Sequence, residues 1–142
     1  MFGHIRFFEH FSKQYITGFF KLADYIELND NAQGLLFEKL GIKTEVELFE
    51  LLGLELLVIT KGKRGATFVF RNEHGAISVL DQEPEIVVNS VDTTGAGDAF
   101  FSTMLKEYAY TNKVDKDFVI RAFPIANQAS REILMQFGGR KH

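Results

Sequence analysis

Short apolar segments alternate with helical segments along this chain of 142 residues. Residues 25–28 are predicted to form a short strand and residues 54–60 a buried strand. Each of these segments lies next to a segment with helical spacing of its apolar residues. This alternation favours an α/β fold, in which helices cover a sheet. We therefore expect a three-layer α/β architecture with helices on both faces of the sheet and ligands at the carboxyl ends of its strands.

The spacing of apolar residues predicts the individual elements. Helices are expected over residues 8–22, 32–40, 45–52, 95–110 and 116–137. Strands are expected over residues 25–28, 54–60, 66–71, 76–80 and 85–89, of which the third and fourth form a hairpin around residues 72–75. Gly41 is expected to end the second helix and Asp115 to cap the last one, which Pro124 is expected to break.

Polar side chains follow three of the predicted strands. Asn29 directly follows the predicted strand 25–28, Thr60 ends the strand 54–60, and Asp92 comes three residues after the strand 85–89. Because ligands of open α/β sheets gather at the carboxyl ends of the strands, we expect these three residues to converge on one edge of the sheet.

The segment 92–98 has the sequence Asp-Thr-Thr-Gly-Ala-Gly-Asp and leads into a predicted helix. Gly95, Ala96 and Gly97 have little or no side chain, so a phosphate can approach their backbone N–H groups at the positive end of the helix dipole. Asp98 is expected in the first helical turn, where its carboxylate can accept a proton from an attacking hydroxyl. The segment predicts an anion hole and a general base.

Two other phosphate-binding motifs are disfavoured by specific residues in this segment. A dinucleotide fingerprint needs glycine where Phe100 stands, and a Walker A loop needs Gly-Lys-Ser/Thr in place of Gly97-Asp98-Ala99. A capped helix after a glycine turn, without any chemistry, stays open as an alternative.

The complete string resembles the C-terminal signature of the ribokinase-like, or PfkB, family of carbohydrate kinases, which reads Asp-Thr-x-Gly-Ala-Gly-Asp before a helix. Residues 23–29 are similar to the family strand that ends in an asparagine near the phosphates and metal. Residues 59–66 are similar to the Thr-x-Gly-x-x-Gly nucleotide loop of the family, and residues 126–129 and 137–139 are similar to the region that borders the base. The resemblance covers residues 23 to 139.

This resemblance implies ATP and Mg²⁺ as cofactors and a sugar or nucleoside as the acceptor. It implies roles for ten residues: Asp98 as the catalytic base; Gly95, Ala96 and Gly97 as the anion hole; Thr60, Gly62 and Asn127 at the nucleotide; Asn29 near phosphate and metal; and Asp92 and Thr94 at a monovalent cation such as K⁺. Each position also has an ordinary interpretation, as turn, cap or exposed helix residue.

The chain departs from the family pattern at position 32. Members usually carry a glutamate three residues after the asparagine, whereas this chain has Ala32, which puts metal and phosphate handling in question. Lys61, Lys63 and Arg64 are interpreted as a solvated turn rather than as phosphate ligands.

Nothing before residue 20 resembles the N-terminal sugar-binding region or the lid of the family. We therefore expect residues 1–142 to form only the C-terminal, nucleotide-binding portion of such a kinase, whether as a truncated gene, a domain or one part of a split protein.

Composition excludes several other classes of function. Sixteen basic and 19 acidic residues are interspersed and give a net charge of −3, which does not support nucleic-acid binding. The absence of cysteine excludes disulfides and thiolate metal sites. No apolar run approaches the length of a membrane span, and no targeting segment is recognised, so a cytoplasmic location is expected.

The sequence thus predicts ATP-dependent phosphorylation of a sugar or nucleoside hydroxyl by the complete enzyme. The alternative is a noncatalytic nucleotide-binding or interaction module that derives from such a kinase. A separate N-terminal half and a second copy of the chain are both open as protein partners.

Overall fold

The structure is a computed structural model of the chain, and it describes residues 12–83, 94–111 and 113–139. The chain divides into two compact units, Met1–Gln82 and Glu83–His142. The predicted strand at residues 85–89 and the first residues of the predicted helix 8–22 lie outside the described residues.

The first unit alternates helices and strands. In chain order it contains helix α1 (Lys13–Phe20), strand β1 (Tyr25–Asn29), helix α2 (Asp30–Leu40), helix α3 (Glu45–Leu52), strand β2 (Leu56–Thr60), a short 3₁₀ helix (Gly62–Arg64), strand β3 (Ala66–Arg71) and strand β4 (Ile77–Gln82). The predicted elements are confirmed within the described residues, with shifted ends. Helix α2 starts two residues earlier than predicted and β2 two residues later, α1 ends two residues earlier and β1 one residue later, and β4 starts one residue later and ends two residues later.

The four strands form one mixed sheet in the order β1-β2-β3-β4. Strands β1 and β2 are parallel, and the other two pairs are antiparallel. The parallel pair needs a long connection, which α2 and α3 provide, whereas β3 and β4 form the predicted hairpin. The carboxyl ends of β1 and β2 therefore meet at the same edge.

Both faces of strands β1, β2 and β3 are buried over most of their length. On one face, Ile26, Leu28, Leu57, Ile59 and Val69 form a core with buried residues of the three helices. Side chains alternate between the faces along a strand, so the opposite face carries Tyr25, Glu27, Leu56, Val58, Phe68 and Phe70, which are also buried. This burial agrees with the predicted α/β class.

Local signals in the sequence set the ends of the helices. Asn29 and Thr44 cap the N-termini of α2 and α3, where their side chains accept hydrogen bonds from Ala32 and Glu47 backbone N–H groups. Gly41 ends α2 in the left-handed conformation, which glycine adopts without the penalty that a Cβ brings. The predicted end of this helix is thus confirmed.

The second unit consists, within its described residues, of helix α4 (Thr94–Thr111) and helix α5 (Lys116–Gly139). The two helices pack against each other, with the rings of Phe100 and Phe123 edge to face at 5.9 Å between centroids. Asp115 caps α5 as predicted, because its Oδ1 accepts a hydrogen bond of 2.8 Å from the N–H of Phe118.

The predicted break at Pro124 is wrong, because α5 continues through this residue to Gly139. A proline inside a helix removes one backbone hydrogen bond and crowds the preceding turn. Its neighbours Ala122, Phe123 and Ala126 are buried, whereas Pro124 is exposed. Burial of this apolar stripe offsets the lost hydrogen bond, so the helix is retained.

Candidate functional site

The carboxyl ends of β1 and β2 bring two of the predicted site residues together. In the parallel register, Asn29 lies directly opposite Thr60. The hydroxyl of Thr60 donates a hydrogen bond of 3.4 Å to the backbone carbonyl of Leu28, the residue before Asn29. The predicted convergence is therefore confirmed for these two residues. Asp92, the third, lies outside the described residues.

Asn29 also links the strand to the next helix. Its Oδ1 accepts a hydrogen bond of 2.7 Å from the backbone N–H of Ala32, which satisfies one of the free donors in the first turn of α2. The capping alternative from the sequence is thus observed. The same side chain carries two N–H donors that capping does not use.

The loop after β2 is a tight, internally hydrogen-bonded turn. The N–H of Lys61 donates to the carbonyl of Gly65 at 2.8 Å, and the N–H groups of Arg64 and Gly65 donate to the carbonyls of Lys61 and Gly62 at 3.1 Å. Gly62 and Gly65 have φ angles of 58° and 89°, a region that side chains with a Cβ rarely adopt. These glycines let the chain reverse immediately after Thr60.

Lys61 and Arg64 in this loop have acidic partners. Arg64 Nη2 lies 2.9 Å from Asp30 Oδ2, in the first residue of α2, and Lys61 Nζ lies 4.0 Å from Asp81 Oδ1, near the end of β4. Asp81 Oδ1 also accepts a hydrogen bond from the hydroxyl of Thr67. The interpretation of Lys61 and Arg64 as a merely solvated turn is therefore incomplete.

Strand β1 contains a buried carboxyl that was not predicted from the sequence. Glu27 is 2% exposed and lies two residues before Asn29 on the same face of the strand. Burial raises its pKa to about 8, and the hydrogen bond of 3.0 Å that the Tyr25 hydroxyl donates to Oε2 opposes this rise. The pKa of Tyr25 is raised as well, mainly by burial and to a smaller extent by the nearby Glu27 carboxyl. Alternation along a strand places Tyr25 and Glu27 on one face, but it does not indicate that this face is buried.

Gly95, Ala96 and Gly97, the small residues of the segment 92–98, lie at the start of α4 in the second unit. The helix begins at Thr94, one residue earlier than predicted, so that Gly95, Ala96 and Gly97 occupy its first turn. The first four N–H groups of a helix have no partner within it. Asp98 is the fifth residue, so it follows the first turn of 3.6 residues instead of lying inside it.

Asn127 lies in α5, where it is half-buried and follows the fully buried Ala126. It belongs to the second unit, as Thr94 and Asp98 do, whereas Asn29, Thr60 and Gly62 belong to the first.

Among residues 12–83, 94–111 and 113–139, no three His, Cys, Asp or Glu side chains are grouped closely enough to hold a metal ion. None of the described helices combines the length and the apolar character that a membrane crossing requires.

Comparison with known proteins identifies what this chain is similar to. A family model of pfkB carbohydrate kinases matches residues 6–137. Fructokinase-2 of Oryza sativa subsp. japonica is 32% identical over 101 residues, which are 70% of this chain and 28% of that protein. The ATP-dependent 6-phosphofructokinase of Thermoanaerobacterium thermosaccharolyticum is 28% identical over 120 residues, which are 82% of this chain and 35% of that protein.

Solved structures give the same result for the fold. The nucleoside kinase of Burkholderia thailandensis in complex with inosine superimposes with a TM-score of 0.67 and 25% identity, covering 89% of this chain and 38% of that one. This chain thus spans roughly a third of the length of the kinases that it matches. The ribokinase-like α/β fold predicted from the sequence is confirmed for the part of the fold that the chain covers.

Proposed function

Because the chain belongs to the pfkB family of carbohydrate kinases, we propose that it is the C-terminal, nucleotide-binding portion of such a kinase. The complete enzyme would transfer the γ-phosphoryl group of ATP to a hydroxyl of a sugar or nucleoside. Fructokinases, a 6-phosphofructokinase and a nucleoside kinase are among the similar proteins, which is the reason for keeping both classes of acceptor.

The observation that carries this proposal is the start of α4. Three residues with at most a methyl side chain, Gly95, Ala96 and Gly97, form the first turn of an 18-residue helix. The free N–H groups and the positive dipole end of such a helix favour an anion, and the absence of bulky side chains lets a phosphate come close. We assign this turn to the γ-phosphate, whose charge it would stabilise as the transfer proceeds.

Asp98 is the proposed catalytic base. It directly follows the proposed anion hole in the sequence, so that one short segment carries both the group that holds the phosphate and the group that accepts the proton. The acceptor hydroxyl loses its proton to this carboxylate as its oxygen attacks phosphorus, and ADP leaves. Mg²⁺, when bound with ATP, would neutralise part of the charge of the phosphates, and Asn29 is the residue proposed to lie near it.

The remaining site residues would surround the nucleotide and its ions. We assign Thr60 and Gly62 to the nucleotide, because they lie at and just after the end of β2, next to Asn29. Asn29 would contribute its amide N–H groups near the phosphates, while its oxygen caps α2. Asn127 is proposed to contact the base, and Asp92 with Thr94 to hold a monovalent cation such as K⁺.

A noncatalytic module is the second candidate, and Ala32 is the observation that favours it. Alanine has no carboxylate to offer a metal, and the side chain of Ala32 is 1% exposed and belongs to the core cluster. A protein that binds the nucleotide without transferring phosphate would not need one.

Calorimetric titration of the chain with Mg-ATP and Mg-ADP tests the nucleotide half of the proposal. We expect binding by the parent chain and its loss in Gly97→Asp, because a carboxylate in the first turn of α4 would repel and obstruct the phosphate. Gly34→Asp is the matched control, since it places the same side chain in helix α2 at a glycine with no neighbouring atom within 4 Å of an added Cβ. A folded parent chain without affinity for either nucleotide would contradict the proposal.

Addition of an N-terminal portion of a pfkB kinase in trans separates the two candidate functions. ATP-dependent phosphorylation of a sugar or nucleoside that depends on both polypeptides supports the enzyme. Nucleotide binding without phosphoryl transfer, across a broad panel of sugars and nucleosides, supports the module.

A further inference from the structure

The loop at residues 61–65 is held by carboxylates on two sides. In the sheet, β2 and β3 lie between β1 and β4, so the loop that joins β2 to β3 is flanked by the ends of the two outer strands. Arg64 reaches Asp30, which follows β1, and Lys61 reaches Asp81 near the end of β4. These contacts link residues that are 34 and 20 positions apart in the sequence.

The two contacts differ in strength. Arg64 and Asp30 are 2.9 Å apart and form a charge-assisted hydrogen bond. The separation of Lys61 and Asp81 is 4.0 Å, and the same oxygen of Asp81 accepts a hydrogen bond from Thr67. The contact on the β1 side is therefore the stronger of the two, and it is also the one adjacent to Asn29 and Thr60.

We propose that Asp30 is a positioning residue, which through Arg64 holds the loop 61–65 in one conformation beside the paired ends of β1 and β2. The relevance of this loop to nucleotide binding rests on the proposed function above. Arg64 accordingly serves to anchor the loop in the free protein, and Asp30 provides the anchor point.

Asp30 has an alternative role that the experiment must separate from this one. It lies in the first turn of α2, where a negative charge interacts favourably with the helix dipole whether or not a cation is near. Asp117 lies in the corresponding turn of α5 and is exposed. Asp117→Asn therefore reproduces the change in the helix terminus without changing the loop.

Hydrogen exchange of the backbone amides, measured residue by residue by NMR, reports how often the hydrogen bonds of the loop 61–65 open. The N–H groups of Lys61, Arg64 and Gly65 are hydrogen-bonded inside the loop. An exposed ion pair of this kind shifts local equilibria by up to about fivefold. We expect Asp30→Asn and Arg64→Ala to accelerate exchange at these amides about two- to fivefold, and Asp30→Glu to retain most of the protection. The amide of Asn72, which donates to Ala76 in the other hairpin turn, should not change.

Two further experiments test the ion pair between Asp30 and Arg64: added salt, and a double variant in which the two charged residues are swapped. In about 0.5 M NaCl, exchange in the parent loop should approach that of Asp30→Asn, because the pair is exposed and salt screens it. The double variant Asp30→Arg with Arg64→Asp should restore protection relative to either single change. Unchanged exchange in Asp30→Asn, an equal effect of Asp117→Asn, or a double variant no better than the single ones would overturn the proposal.

The affinity for Mg-ATP connects the loop to nucleotide binding. If the parent chain binds Mg-ATP, the dissociation constant should rise in Asp30→Asn by the same two- to fivefold as the exchange rates, with no matching change in Asp117→Asn. An unchanged dissociation constant would contradict the positioning role. If the parent chain binds no nucleotide, the proposed function of the chain alone fails, and the exchange experiment still decides whether Asp30 holds the loop.

Discussion

Asn29 accepts a hydrogen bond of 2.7 Å from the backbone N–H of Ala32 and thereby joins the end of β1 to the first turn of α2. The backbone of the same asparagine lies opposite Thr60 in the parallel register. One residue therefore fixes both the start of a helix and the edge where two strands end. Substitutions at Asn29 and Ala32 can separate the structural role of this edge from a role in binding.

Replacement of Asn29 by alanine should lower the free energy of unfolding. Loss of a helix cap typically costs about 0.5–2 kcal/mol, because a donor in the first turn loses its partner. Asn29→Asp keeps the capping oxygen and should be nearly as stable as the parent in urea denaturation. If the amide also serves the phosphates, Asn29→Asp should bind Mg-ATP at least severalfold more weakly, since it replaces N–H donors by negative charge. Equal affinity for the two proteins would restrict Asn29 to capping.

Introduction of the family glutamate at position 32 should destabilise this chain instead of improving metal binding. Ala32 is 1% exposed and packs in the core, so Ala32→Glu would bury a carboxylate without a partner. Such a change should lower the free energy of unfolding by about 3 kcal/mol or more. Asn31→Glu, at the exposed neighbouring position, is the control and should unfold at nearly the parent urea concentration. A stable Ala32→Glu protein with higher affinity for Mg-ATP would contradict this expectation.

The buried carboxyl of Glu27 should make stability depend on pH. Its pKa is about 8 in the folded chain against 4.5 for an unperturbed glutamate, so the folded state binds more protons than the unfolded state between these values. The free energy of unfolding should therefore fall as pH rises from about 4.5 to 8, with a slope of up to about 1.4 kcal/mol per pH unit. Glu27→Gln keeps an acceptor for the Tyr25 hydroxyl and cannot ionise.

Urea denaturation at several pH values checks this expectation. The profile of Glu27→Gln should be flatter than that of the parent over the same window, and its advantage in stability should be largest at pH 8. Glu38→Gln, which removes an exposed carboxyl of α2, should leave the slope unchanged. Parallel profiles of the parent and Glu27→Gln would show that Glu27 is ionised in the folded chain throughout this range.

Local signals predicted much of this structure, because they act over a few residues. The asparagine after an apolar run correctly indicates the Asn29 cap, and Gly41 correctly ends α2. The meeting of Asn29 and Thr60 follows from the placement of parallel strands, for which the connecting helices are visible in the sequence.

Contacts between distant residues were not predictable from the same patterns. The Arg64–Asp30 pair depends on the strand order, and charge spacing along the chain cannot reveal it. The burial of Glu27 depends on the covering of a second sheet face, whereas a glutamate that alternates with apolar residues is usually solvated. The prediction of a break at Pro124 was wrong for a related reason. The stabilisation from burying the apolar stripe around Pro124 outweighs the local tendency of proline to end a helix.

Replacement of Pro124 by alanine should stabilise α5. The change restores a backbone N–H that can donate to the carbonyl of Ile120 one turn earlier and removes the crowding by the proline ring. The gain is reduced because alanine leaves the unfolded chain more freedom, so we expect a net increase of about 1–2 kcal/mol in the free energy of unfolding. Lys106→Ala, an exposed change in α4, is the control for urea denaturation. A less stable Pro124→Ala protein would mean that the local geometry at Pro124 is required by its surroundings.

Replacement of Asp98 by asparagine should separate catalysis from nucleotide binding. The two side chains have the same shape, but the amide cannot accept the proton of the acceptor hydroxyl. In the enzyme assembled with an N-terminal portion of a pfkB kinase, kcat should fall by about 100-fold or more. The affinity for Mg-ATP should stay within a factor of two, because the proposed anion hole at the start of α4 uses backbone N–H groups that the substitution does not remove. Asp117→Asn, in the first turn of α5, should keep the parent kcat. An Asp98→Asn enzyme with more than half of the parent kcat would exclude Asp98 as the base, and a parallel loss of nucleotide affinity would indicate that its carboxylate acts in binding instead.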